Sequence, residues 1–328
     1  MDFSLTSEQL ELRRMLRDVT ADRAASARLR EVMATPSCED SDLWRLLASD
    51  LGLLGVAVPE DLGGTGGSFV DSAVVIEESG RGLWPVPVAA ALAAVSALSG
   101  DDVVTDLASG ERRAVIVAGD HVVGAAGADL LVLAEPDRLR VVDSADATVS
   151  MRPGMDPLRP LSTVEVPSEA GRVVGDAAAS RRAVDLLRVA LAVEAVGVAT
   201  WCLDTTVAYL KTREQFGRPI GSFQALAHRA ADLAVELSAA TSTAYYAAWV
   251  VDGAPEELAV VGPLAKAVCA DAAYRIAAET IQLHGGIGFT WEHDAHLYFK
   301  RATASRLLLG DSHHQRQLVA ARAELFSR

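Results

Sequence analysis

Aromatic residues make up only 5% of the chain, and no tryptophan lies between Trp84 and Trp201. A core without large rings has to come from alanine, leucine and valine, which favours helices packed closely through small side chains. Cysteine is equally scarce. Cys38, Cys202 and Cys269 are far apart and show no CxxC or Cys/His spacing, which excludes a zinc site or a disulfide framework and fits a reducing cytoplasm. Positive charge is in deficit, with 30 Lys and Arg against 44 Asp and Glu, a net charge of -14. That balance argues against nucleic acid and anionic membranes as partners and serves solubility instead. The start, MDFSLTSEQLELRR, has no signal-peptide apolar core. An uncharged run at 82–100 is long enough to span a bilayer, but Pro85 and Pro87 break its first third, so a buried helix is expected. His293 and His296, and the adjacent His313 and His314, are read as solvated or hydrogen-bonded, with no metal expected.

A chain of 328 residues can hold one large or two to three small domains. The first 113 residues read as helical: a cap at Ser7 before leucines at helical spacing, then helices at Asp42 to Asp50, Ser68 to Ser79 and Pro87 to Ala108. Between them VPEDLGGTGG is a loop. From Ala114 the period changes. AVIVA, DLLVLAE, RLRVVDS, ATVSM and STVEV are short, valine-rich and separated by Gly, Asp or Pro, which predicts about five strands, with GRVVGDAAASRR as a linker. The remainder reads as long helices over Ala183 to Arg213, Gln224 to Asp252, Pro255 to His284, His293 to Leu309 and Ser312 to Leu325, a four-helix bundle. The fold class is therefore mostly α, with an N-terminal helical domain at 1–113, a reduced middle β region at 114–176 and a C-terminal bundle at 177–328.

KTREQFGRPIGSFQ, from Lys211 to Gln224, reads as a helix end, a turn and a new helix start. Arg213 suits the negative end of the helix dipole, Gly217 the left-handed cap, and Pro219 stops the helix. The corner projects Arg213 and Phe216 together, a pair suited to a phosphate and a flat ring, though an ordinary helix hairpin with a solvated arginine has the same sequence. Ile281 to Phe289, IQLHGGIGF, follows another helix and places Gly285 and Gly286 side by side.

RxxFGxPIxxxQ followed by QxxGGxGF, with GVAVPEDLGG and EESGRG near the start, resembles the acyl-CoA dehydrogenase family, flavoenzymes that desaturate acyl-CoA thioesters between the α and β carbons. The matches span most of the chain. The resemblance implies that Arg213 and Gln215 meet the pyrophosphate of FAD, Phe216, Ile220 and Phe223 its adenosine, and Gln282, Gly285 and Gly286 the adenine end. In the family this arm reaches across a dimer interface to an FAD whose flavin ring sits in the neighbouring subunit.

The base that removes the α proton is a glutamate at one of two family positions, and these fall here on Leu309, in RLLLGDSHHQR, and on Leu187, beside Arg188. Both usual bases are missing. Glu194 is the one carboxylate within LLRVALAVEAVGVAT and, seven residues from Leu187, shares its helix face. It is read either as a displaced base made more basic by apolar neighbours or as an acid paired with an arginine across the bundle. Asp311 is read as a cap on the last helix. The β region is about half the family's length and lacks the first half, which contacts the flavin ring.

The expected protein is thus one subunit of a heteromeric FAD-dependent acyl-CoA dehydrogenase, a heterotetramer built as a dimer of dimers with a full-length, base-bearing homologue. The substrate is an acyl-CoA, with steroid side-chain thioesters as one class, and the acceptor an electron-transfer flavoprotein or similar. Two other readings stand beside it: a homo-oligomeric enzyme using Glu194, and a flavin-free scaffold or acyl-CoA-binding protein.

Overall fold

The computed structural model describes residues 4–324. Helix α1 (Ser7–Arg23) starts one residue earlier than its leucine pattern predicts: Thr6 is the cap, and Gln9 completes a reciprocal capping box. A short helix, α2 (Ser26–Met33), follows, and then α3 (Ser41–Arg45), α4 (Phe69–Arg81), α5 (Val88–Ala97) and α6 (Val104–Ala108). The uncharged 82–100 run supplies α5, which is buried within the protein, as its prolines and alanines suggest.

Seven strands follow: β1 (Ala114–Val117), β2 (Val122–Val123), β3 (Leu130–Ala134), β4 (Arg138–Asp143), β5 (Thr148–Arg152), β6 (Leu161–Glu165) and β7 (Arg172–Asp176). They form a four-stranded sheet in the order β1-β3-β4-β7, with β1 and β3 parallel, and a three-stranded sheet in the order β2-β6-β5. All five valine-rich segments are strands. The predicted linker is a correction, because RVVGD is β7, which pairs antiparallel with β4, and AAASRR is the first turn and a half of α7.

Helix α7 (Ala177–Thr212) runs for 36 residues, capped by the side chain of Asp176. Its apolar window would be long enough to cross a membrane, but 89% of that window is buried inside the protein. A two-stranded hairpin, β8 (Glu214–Gln215) and β9 (Arg218–Pro219), leads to α8 (Gln224–Gly253), α9 (Leu258–His284), α10 (Ala295–Leu307) and α11 (Ser312–Arg322). Leu325 lies outside the described residues.

Two glycines bring the N-terminal helices onto the bundle. A Cβ on Gly80 of α4 would overlap the backbone oxygen of Glu194, and one on Gly197 of α7 that of Glu77. The two helices therefore touch backbone to backbone, a contact only glycine permits. Beside the crossing, Arg13 of α1 pairs with Glu77 at 2.7 Å, and its guanidinium also donates to the hydroxyl of Tyr245 on α8 at 2.9 Å.

Candidate functional site

At the far end of α7 the backbone N–H of Arg213 still donates to Tyr209 at 2.8 Å, and the chain then reverses through Phe216 (φ 56°) and Gly217 (φ 76°). Two successive left-handed residues make the two-residue turn that matches the twist of a hairpin. Phe216 is 91% exposed at its tip, and its ring meets Phe223 edge-on at 6.0 Å. The guanidinium of Arg218 lies 4.1 Å above the Phe223 ring. Arg213 and Gln215 are exposed, and Arg213 has no ion pair among the described residues.

The glycine-rich turn is brought to the same end of the bundle. Tyr209, in the last turn of α7, stacks on His284 at the end of α9, with ring centroids 4.6 Å apart. Gly285 takes φ 62° and ψ -139°, a region that side chains disfavour, and Gly285 and Gly286 face open space, with no atom within 4 Å of an added Cβ. Gln282 is exposed beside them. The end of the bundle thus presents a guanidinium, an amide, two phenyl rings and a side-chain-free backbone surface, a donor set suited to a diphosphate carrying a flat base.

The second half of the site lies at the other end of α7. Leu187, Leu191 and Glu194 share one helix face and line a cavity of about 20 Å³, closed by Leu308 and Leu309, by Pro87, Ala89 and Ala90 around the start of α5, and by Ile116, His121 and Arg159. Leu309 sits in the left-handed region at φ 59°, and the Gln315 amide steadies this turn by donating to the carbonyl of Leu309 at 2.6 Å. Leu187 and Leu309, the positions where the resemblance led a base to be expected, therefore converge on one space, with Glu194 beside them.

Glu194 is not free there. One carboxylate oxygen accepts from Arg159 and the other from Arg301 of α10 at 3.3 Å, and Arg301 also pairs with Asp156. Arg159 also donates to Ser305 at 2.5 Å, while buried Lys266 of α9 donates to the Ser305 carbonyl at 2.9 Å. Of the two readings of Glu194, the coordinates match the paired acid. Nearby, Arg188 bonds Asp185 at 2.6 Å and Gln315 at 3.0 Å, and burial lowers its pKa. Asp311 caps α11, accepting from the N–H of His314 at 2.9 Å. Arg159, Asp156 and Ser305 carried no sequence signal, since a loop arginine acquires meaning only when chain segments more than a hundred residues apart meet.

Comparison with known proteins agrees with these motifs. The family models "Acyl-CoA dehydrogenase, N-terminal domain" and "Acyl-CoA dehydrogenase, C-terminal domain" match residues 6–114 and 176–324. The acyl-CoA dehydrogenase IpdE2 of Mycolicibacterium smegmatis is 37% identical over 96% of this chain and 99% of its own. The chain belongs to the acyl-CoA dehydrogenase family. Among solved structures, a variant of the Tcur3481-Tcur3483 steroid ACAD superposes with a TM-score of 0.87 at 29% identity, covering 98% of this chain and 99% of that one. The ChsE4-ChsE5 complex from Mycobacterium tuberculosis gives 0.89 at 25% identity, covering 99% of each chain. Within this member of the acyl-CoA dehydrogenase family, α7 runs between Leu187 and its C-cap Arg213, 26 residues on and roughly 40 Å away at the rise of an α-helix. No group of three or more His, Cys, Asp or Glu side chains that could hold a metal occurs among the described residues.

Proposed function

We propose that this chain is one subunit of a heteromeric, FAD-dependent acyl-CoA dehydrogenase and donates the adenosine and pyrophosphate arm to a full-length, base-bearing partner. The observation that carries this is the lopsided site: an exposed cofactor arm at one end of α7, and at the other a cavity with leucines at both base positions and its one carboxylate held by two arginines. Arg213, Gln215, Phe216, Ile220, Phe223, Gln282, Gly285 and Gly286 would hold the cofactor, which when bound supplies the hydride acceptor. The arm grips oxyanions through Arg213 and offers Phe216 as a flat face, while the partner removes the α proton. The assembly is a dimer of dimers in the cytoplasm, passing electrons to an electron-transfer flavoprotein or similar acceptor. The heteromeric steroid ACAD among its structural neighbours supports a steroid-derived acyl-CoA as the substrate class.

Co-expression with a full-length acyl-CoA dehydrogenase from the same genome tests the reading. A yellow complex with one FAD per unlike pair is expected, with the single chain colourless and inactive. Turnover by the lone chain with stoichiometric flavin would overturn it in favour of a homo-oligomer using Glu194.

A further inference from the structure

The loop that carries the glycine pair is closed at its base by two imidazoles. His284 ends α9, His293 stands two residues before α10, and their ring centroids are 4.4 Å apart. Between them only Gly288 is buried, while Phe289 and Trp291 project into solvent, so the base carries most of what fixes the loop. His284 also stacks on Tyr209, four residues before Arg213. One ring thus sets the glycine pair in register with Arg213.

Nδ1 of His284 lies 2.7 Å from the Thr280 carbonyl, which can only accept, so Nδ1 carries the proton and Nε2 is a lone pair. Nδ1 of His293 accepts from the Ala295 N–H at 3.1 Å, which leaves its proton on Nε2. His284 is 3% exposed, and its Nε2 is buried with no hydrogen-bond partner among the described residues. A phenyl ring would fill the same stack without stranding an acceptor. What the imidazole adds is a place for a second proton. Burial holds the pKa of His284 below the usual histidine range, against the pull of the Thr280 bond, and burial and then His284 do the same to His293. Around the pair stand Tyr209 from α7, His296 from α10, and Asp294, which is shared with Ser26 and Arg30 of α2. Glu279 of α9 and Arg229 of α8 pair with each other.

We propose that His284 is a positioning residue for the cofactor arm, closing the glycine loop against α7 while neutral and releasing it when the imidazole pair takes up a proton. The cofactor role rests on the subunit reading; the closure does not. An opened loop exposes both imidazoles, which then titrate near 6.5, so acid favours opening. At about pH 5 the factor is up to about thirtyfold for each ring that stays neutral while closed. Hydrogen exchange of the 285–292 amides in the single chain, corrected for intrinsic rates, should show about tenfold or more less protection at about pH 5 than at about pH 7. Flavin retention by the co-expressed complex should fall over the same range. His284→Phe keeps the stack without a titrating nitrogen, so it should hold flavin at neutral pH and cut the acid loss at least about threefold. His293→Asn keeps an acceptor for the Ala295 N–H but removes the facing ring, and should lower protection at both pH values. Equal protection at the two pH values, an acid loss as large in His284→Phe as in wild type, full protection in His293→Asn, or flavin retention that ignores loop opening would overturn the proposal. A complex without flavin at neutral pH would overturn the subunit reading and the cofactor role together, with loop exchange still deciding the closure.

Discussion

The two charged residues that matter most on α7 and at its C-cap do opposite things. Arg213 stands in solvent with no ion pair among the described residues, whereas Glu194 is buried between two guanidiniums. Arg213→Ala should therefore leave the fold intact and lower FAD retention in the assembled complex roughly ten- to a hundredfold, the loss expected for charged hydrogen bonds of about 1.5–3 kcal/mol. Flavin absorbance after gel filtration measures it. Glu194→Gln should leave turnover of the complex unchanged while costing about 3 kcal/mol or more of stability, since it strands Arg159 and Arg301 in a buried site. Equilibrium urea unfolding checks the second half, and steady-state assays the first. Legibility differs in the same way. Arg213, Phe216 and the glycine pair announce themselves because a helix end and a turn are written in neighbouring residues. Arg159 stays silent because its partners come from α7 and α10.

Secondary elements show the same division between local and distant causes. The five valine-rich strands are legible because short valine-rich runs separated by Gly, Asp or Pro are a local pattern. Strand β7 is not, because it is an edge strand whose Val173 is 58% exposed, so RVVGD resembles a polar connector. Helix α2 is only eight residues long, and its two buried positions, Leu29 and Val32, are too few to set a period. The α4–α7 crossing is likewise invisible in sequence, since a glycine within a helix signals nothing until its neighbour is known. Gly197→Ala should force these helices apart and destabilise the protein by about 1–3 kcal/mol, read as a lower denaturation midpoint with an unchanged slope.

At the scale of the whole molecule, the buried ion cluster ties stability to alkaline pH. Burial first, then the nearby charges of Arg159 and Arg188, lower the pKa of Lys266 to about 8. An unfolded lysine titrates near 10.4, so between about pH 8 and 10.4 the unfolded chain holds a proton that the folded chain has released. Stability from this group therefore rises with pH across that window and is at its lowest, and constant, below it. Lys266→Met should stabilise the protein by about 1–4 kcal/mol at pH 7, with the advantage shrinking as pH rises through 8 toward 10.4. Thermal melts of both proteins at several pH values give the comparison.

The backbone contact between Gly80 and Gly197 also bears on how the gene could be divided. The family models leave residues 115–175 between them, which invites expressing the two halves separately. Yet α4 lies against α7, Arg13 reaches both Glu77 and Tyr245, and Trp84 is wholly interior, so neither half would keep its apolar surface from water alone. Two open reading frames split in the exposed 153–155 loop should instead complement each other. Made together, the fragments would co-elute as a single species on gel filtration, and either made alone would aggregate.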